Sequence, residues 1–237
     1  MKNVLLSACV IGLGLMCAGF FPGYYYYHAK MDNRTVTVKG LAERDVQSDL
    51  ALWNIAFQVA DNDILIAKQK IENQQKLITD FLTKAGFDKD EILEQGLSMQ
   101  DAYADSYRDK SSISARYTLN QQFVVRTNKV ALVQSTFPNI GNLVSKGVVF
   151  KPYGNGVSYV YTKLNQIKPE MLKEATKNAL AAANEFATNS GSKVGDIKSA
   201  NQGVFSISAR ESIPDHSDES QINKTVRVVS TVEYFLK

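Results

Sequence analysis

The sequence predicts an α+β fold: two packed two-layer α/β sandwiches, the inserted one ferredoxin-like (βαββαβ), after an N-terminal hydrophobic helix. Three observations carry this. Period-two apolar alternation recurs in short runs, most clearly at Ala51, Trp53, Ile55, Phe57 and Val59, with polar Asn54 and Gln58 between them. Segments with apolar residues at helical spacing separate such runs, and they stop at glycines (Gly86, Gly191) suited to a left-handed cap. Finally, the order strand, helix, glycine, hairpin occurs twice, from Ala51 to Arg126 and from Val157 to Leu236. Each copy carries a Gln-Gly pair after its helix, Gln95-Gly96 and Gln202-Gly203.

Val36 and Val38 alternate with threonines and Lys39 in a first strand that stops at Gly40. The Trp53 strand follows. Asp61, Asn62 and Asp63 then offer N-cap oxygens to a helix whose buried stripe is Ile64, Ala67, Ile71, Ile78, Phe81, Leu82 and Ala85. Ile92 to Met99 is a third strand, Asp101 to Ser114 a polar hairpin tip, and Tyr117 to Val125 the returning strand. Lys129 to Ser145 reads as a weak helix, because Pro138 and Gly141 interrupt it. Val148-Val149-Phe150 is a short strand, Tyr153 to Gly156 a turn, and Val157 to Leu164 a further strand. Pro169 suits the first turn of the last helix, which buries Met171, Leu172, Ala175, Ala179, Ala182, Ala183, Phe186 and Ala187. Val204 to Ala209 is a strand, Arg210 to Asn223 a second polar tip, and Thr225 to Leu236 closes the fold with Val226, Val228, Val232, Tyr234 and Leu236 on one face.

Tyr117 to Ile207 reads β-α-β-β-α-β, the order of a ferredoxin-like unit. The expected organisation is therefore a leader at 1–30 and an exported domain at 31–237. Within that domain, one subdomain is drawn from about 31–115 plus 208–237, and the ferredoxin-like one is inserted at about 116–207. One continuous sheet is the competing arrangement.

Two stretches carry a family resemblance. The first is RTVTVKGLAERDVQSDLALWNIAFQVADNDILIAKQKIENQQKLITDFLTKAG, from Arg34 to Gly86; the second, ATKNALAAANEFATNSGSKVGDIKSANQGVFSI, runs from Ala175 to Ile207. The chain resembles the SIMPL domain family, which includes periplasmic immunogenic proteins, from about Val36 to Leu236. The shared features are patterns of small and apolar residues, so they identify a fold and no catalytic letters. The resemblance implies an exported protein whose relatives include ring-forming or hollow oligomers, with a link to envelope or oxidative stress.

The leader decides the compartment. Val4 to Phe21 is almost unbroken apolar sequence behind Lys2, about 18 residues and just sufficient to span a bilayer. Pro22-Gly23 ends the run, and Tyr24 to Tyr27 form the amphipathic belt expected at a membrane surface. An uncleaved signal anchor is the favoured reading. Cleavage after Gly19, with Cys17 at the third position before the cut, competes with it. Too few apolar residues precede Leu6-Ser7-Ala8-Cys9 for a lipoprotein signal. No later run is apolar enough to span, so the remainder is expected in the periplasm or cell envelope, held at the inner membrane. Cys9 and Cys17 both lie in the leader, which leaves the exported part without disulfides, thiol nucleophiles or thiolate metal sites.

Charge excludes a further class. Setting aside Lys2 and Lys30 leaves 25 basic against 24 acidic residues, with no basic stripe for nucleic acid. Only two histidines exist. His28 abuts the tyrosine belt, and His216 lies with Asp215, Asp218 and Glu219 in a loop that reads as solvated acid rather than a hard-metal site. No G-x-S-x-G turn accompanies His216. Gly191 to Gly195 follows a helix instead of opening one, so it reads as a cap and not a phosphate loop. Asp88 and Asp90 sit in a loop. No catalytic, cofactor-binding or metal residue, and no cofactor, is assigned. Trp53, Phe57, Phe123, Phe186 and Phe205 are expected in the core, whereas Tyr103, Tyr107, Tyr153, Tyr159 and Tyr161 are either half-buried sheet residues or a subunit contact. The leading function is a non-enzymatic envelope protein acting through self-assembly or binding, with a homo-oligomer expected. The alternatives are a small-ligand carrier using a cleft between the subdomains and an enzyme of undetected type.

Overall fold

The computed structural model describes residues 2–31, 34–104, 113–211, 213–214 and 217–237, with backbone alone at 2–10 and 28–31. Helix α1 covers Lys2–Met31 and runs through Pro22, where the apolar stretch ends. Among the described residues no helix is long and apolar enough to cross a membrane. Strands β1 (Thr35–Gln47) and β2 (Leu50–Asp61) lead to helix α2 (Ile64–Ala85). Strands β3 (Ile92–Glu94), β4 (Ser98–Asp101) and β5 (Tyr117–Thr127) follow, then helix α3 (Val130–Thr136) and strand β6 (Gly156–Val160). Helix α4 (Leu164–Asn189) and strands β7 (Val194–Gln202), β8 (Ser206–Ala209) and β9 (Asn223–Leu236) complete the chain.

The fold is mixed α+β with two antiparallel sheets, as the alternation predicts. One sheet runs β1-β9-β7, with β8 also on β9; the other runs β3-β5-β2-β6, with β4 also on β5. Two compact units emerge, one from 1–44, 165–206 and 226–237, the other from 45–164 and 207–225. These limits differ from the expected split near 115/116 and 207/208. The reason is strand pairing: β2 and β5 pair antiparallel over eleven positions, Ala51↔Thr127 to Asp61↔Tyr117, and so belong to one unit.

The ferredoxin-like order is present, in a different window. Strand β2, helix α2, the β3/β4 edge, β5, α3 and β6 form β-α-β-β-α-β across residues 50–160. The apparent second repeat loses its first strand to this sheet, because β6 pairs with β2 from Leu50↔Val160 to Asn54↔Gly156. In the other sheet β1 takes the corresponding place beside β9. Both Gln-Gly pairs mark one device, an edge strand broken in two against a single long partner. Gln95 N–H donates to the Gln122 carbonyl at 2.9 Å, and Gly203 N–H to the Val229 carbonyl at 2.8 Å.

The core of the 45–164 unit is Trp53, Ile55, Phe57, Ile71, Ile78, Leu82, Phe123 and Val125, with α2 lying on β2 and β5. Asp63 caps α2 by accepting from Leu65 and Ile66 N–H, and Gly86 closes it at φ 107°. Removing Trp53, Phe57 and Ile55 from water contributes roughly 1.5–3 kcal/mol for each side chain. The other unit has a smaller core in which Val36, Val232 and Tyr234 meet Ala179 and Ala183.

Several local expectations are corrected. Strand β1 does not stop at Gly40, which is a crossing point where α4 leaves no room for a side chain. The helix expected at 129–145 breaks after Thr136 into a 3-10 stretch, Phe137–Lys146, with Pro138 in its first turn. Phe150 makes an isolated bridge to Phe57 instead of a strand. Strand β6 ends at Val160, and α4 starts earlier than expected, leaving Pro169 inside it. Phe186 lies outside the core because the buried stripe of α4 is Met171, Ala175, Ala179, Ala183 and Ala187 at strict four-residue spacing. One residue off that stripe is about 100° around the helix. Phe205 is half-buried, with the Lys168 ammonium 5.8 Å from its ring centre.

Candidate functional site

A concavity lies in the unit of 45–164 and 207–225, around strand β6. The glycine turn before it sets its shape. Gly154 has φ 91°, a conformation that favours glycine. Asn155 then replaces a strand residue: its Oδ1 accepts from Ala56 N–H at 2.7 Å and its Nδ2 donates to the Lys151 carbonyl at 2.7 Å. Since Lys151 N–H also donates to the Ala56 carbonyl, the turn satisfies both backbone groups of Ala56.

Two clefts adjoin here. One, of about 560 Å³, is lined by Asn54, Phe137, Ser158, Ser217 and the 154–157 turn. The other, of about 480 Å³, reaches Gln134, Arg210, Glu211 and Ile213. They share Phe137, Tyr159 and Ser220. Phe137 stands at the start of the 3-10 stretch, with its ring 5.7 Å from that of Trp53, edge-on. Tyr159 is buried, and burial raises its pKa, so the phenol stays neutral and able to donate. The Asp218–Ser220 turn closes one side, with Ser158 Oγ donating to Glu219 Oε2 at 3.3 Å.

Behind that turn sits Lys224, a residue the sequence reading passed over. It is buried, and its Nζ donates to the Asp218 carbonyl. Burial lowers its pKa, against the pull of Asp218 and Glu219. A signal was available, since period two along β9 puts position 224 on the face of Val226 and Val228. A third cleft, of about 470 Å³, is lined by Asp49, Asn128, Lys129 and Lys163 beside Ser48, whose buried Oγ has no hydrogen-bond partner among the described residues. Burial works to raise the Asp49 pKa, but bonds from Thr162 N–H and hydroxyl and the Lys163 charge hold it below the ordinary value.

The residues weighed from sequence scatter. Asp215, His216 and Tyr107 lie outside the described residues, as does the side chain of His28. Asp88 pairs with Lys129 Nζ at 2.6 Å. Gly191, at φ 68°, ends α4, with Ser192 N–H donating to the Ala187 carbonyl at 2.8 Å, which is a cap and not a phosphate loop. Tyr153 is exposed, Tyr161 half-buried, and Tyr103 packs beneath the Arg116 guanidinium at 5.0 Å. Among the described residues no group of three or more His, Cys, Asp or Glu could hold a metal ion.

No curated protein matches this chain. Among solved structures, one similar chain is the regulatory subunit of aspartate kinase from Thermus flavus, at 15% identity, covering 83% of this chain and 89% of that one. Its TM-score of 0.19 assigns neither fold nor activity. The family model SIMPL, described as a protein of unknown function (DUF541), matches residues 36–234. With nearly all of the sequence beyond the leader matched, the chain belongs to the SIMPL family.

Proposed function

We propose that this is a non-enzymatic envelope protein that works through self-assembly or binding, exported by its apolar leader and held at the inner membrane by it. A role in envelope or oxidative stress belongs to the same proposal. The observation that carries it is the open edge of the β1-β9-β7 sheet. Among the described residues strand β7 pairs with β9 on one side only, and all of its residues beyond Gly195 are exposed, Ile197 among them at 53%. Val204, in the break between β7 and β8, is 91% exposed. Such an edge presents unpaired N–H and C=O groups to another strand, and soluble proteins usually cover or blunt it. The near-neutral exported part puts no strong charge repulsion between copies. Light scattering on the chain from Met31 onward tests the assembly half of the proposal; a discrete oligomer supports it and a strict monomer removes it, leaving binding.

A second reading is a small-ligand carrier. The adjoining clefts around Phe137 and Tyr159 favour it, and they lie within one unit, so it needs no cleft between subdomains.

A further inference from the structure

We infer that the cleft of about 560 Å³ beside β6 is a binding site for a neutral saccharide unit. This rests on the carrier reading and is independent of assembly. Among the described residues its lining contains no Lys, Arg, Asp or Glu. In their place the lining residues include one with a free primary amide (Asn54), three serines (Ser158, Ser217, Ser220), Tyr159 and one phenylalanine, Phe137. Sugars combine vicinal hydroxyls, which need partners that both donate and accept, with an apolar C–H face that packs on an aromatic ring. Hydroxyls and primary amides are the side chains that do both.

The hydrogen bonds already made leave capacity on this wall. Ser158 Oγ donates to Glu219 and Ser220 Oγ to the Ser217 carbonyl at 2.7 Å, so both oxygens remain able to accept. Asn54 Oδ1 accepts from Gln122 Nε2 at 3.3 Å, which leaves its own amide hydrogens to donate. The Tyr159 hydroxyl makes no hydrogen bond among the described residues and, kept neutral by burial, can do either. Phe137 is 39% exposed, enough to offer a ring face while its other contacts reach Trp53. Gly154 and Gly156 add bare backbone to the lining. Among the described residues the charges beside this lining are already engaged: Glu219 accepts from Ser158 Oγ at 3.3 Å, and Arg210, in the adjoining cleft, is paired with Glu211 at 3.0 Å.

Trp53 is the chain's only tryptophan and sits against Phe137, so a ring seated on Phe137 changes its emission. The test titrates the full chain, kept in a non-glycosidic detergent, with neutral trisaccharides (maltotriose, cellotriose, chitotriose), and checks each binding curve by calorimetry. Saturable binding of at least one is expected. It should be lost in Ser217→Phe, which fills the cleft from an exposed position. Phe137→Leu should weaken it about fivefold, the loss of one aromatic contact. Unchanged thermal unfolding of Ser217→Phe keeps the comparison fair. Three results overturn the inference: no calorimetric saturation with any sugar at about tens of millimolar, binding that survives Ser217→Phe, or binding of acidic oligosaccharides alone. None of them bears on oligomer mass, so failure here is separable from failure of assembly.

Discussion

Replacing Gly40 with alanine should unfold the first unit at markedly lower denaturant. A Cβ at that position would lie 1.9 Å from the Ala175 carbonyl oxygen, 2.5 Å from Ala179 N and 2.9 Å from Ala179 Cβ. Favourable non-bonded contact begins near 3.5 Å, so α4 would have to retreat by roughly 1.5 Å. That retreat lifts Met171, Ala175, Ala179 and Ala183, all fully buried, off the sheet. A gap of about 0.5–1 Å already forfeits a quarter to a half of each contact. Overpacking of this kind costs about 1–3 kcal/mol, and the upper end applies because two of the three clashing atoms are backbone. Opposing it, alanine is favoured over glycine within a strand by roughly 0.5–1 kcal/mol. The clash wins, for a net loss of about 2 kcal/mol. Urea unfolding followed by far-UV circular dichroism measures it, while Trp53 emission reports the other unit separately. Ala179→Gly should not rescue the variant, since it removes only the Cβ contact. Rescue by that second change, or a stabilised Gly40→Ala, would refute the packing described.

Trp53→Ala should cost about 3–5 kcal/mol, because a fully buried indole between Phe87 and Phe137 leaves a large cavity. The parent check is acrylamide quenching of native Trp53, where ready quenching would show the register of β2 to be wrong. For Glu91, burial works to raise the pKa, but the Thr127 hydroxyl at 2.5 Å, the Asp88 backbone and Lys129 at 3.0 Å together hold it below its ordinary 4.5. Its folded pKa is depressed, so its contribution is present above 4.5 and fades as pH falls through the folded value. Glu91→Gln should therefore flatten the acid limb of stability against pH; an acid limb identical to the parent's would contradict the assignment.

Elements whose burial comes from their own periodicity were legible in the sequence. The alternation of β2 and the stripe of α2 fixed their inward faces, because one face of each packs on the other. What sequence could not supply was partnership. Period two says that β6 is a strand, but not that its neighbour is β2, about a hundred positions earlier, and that pairing is what places the ferredoxin-like order at 50–160. Gly40 looked like a stop because glycine commonly ends strands, whereas its cause is a helix more than 130 residues later. Phe186 was drawn inward by its hydrophobicity, although on α4 the close approach to the sheet admits alanines. The β6 cleft was invisible for a related reason. Asn54, Phe137, Ser158 and Ser217 come from four separate segments, and none is unusual where it stands.

Native mass in solution tests the assembly proposal most directly. Light scattering on the chain from Met31 onward, across the micromolar range, should give one discrete mass at an integer multiple of the protomer, because strand-edge association closes by symmetry. Ile197→Lys, a charge on the exposed face of β7, should shift that mass toward the protomer without altering thermal unfolding. A single protomer mass at every concentration, unchanged by Ile197→Lys or by deletion of residues 210–223, would contradict assembly and leave ligand carriage as the function to pursue.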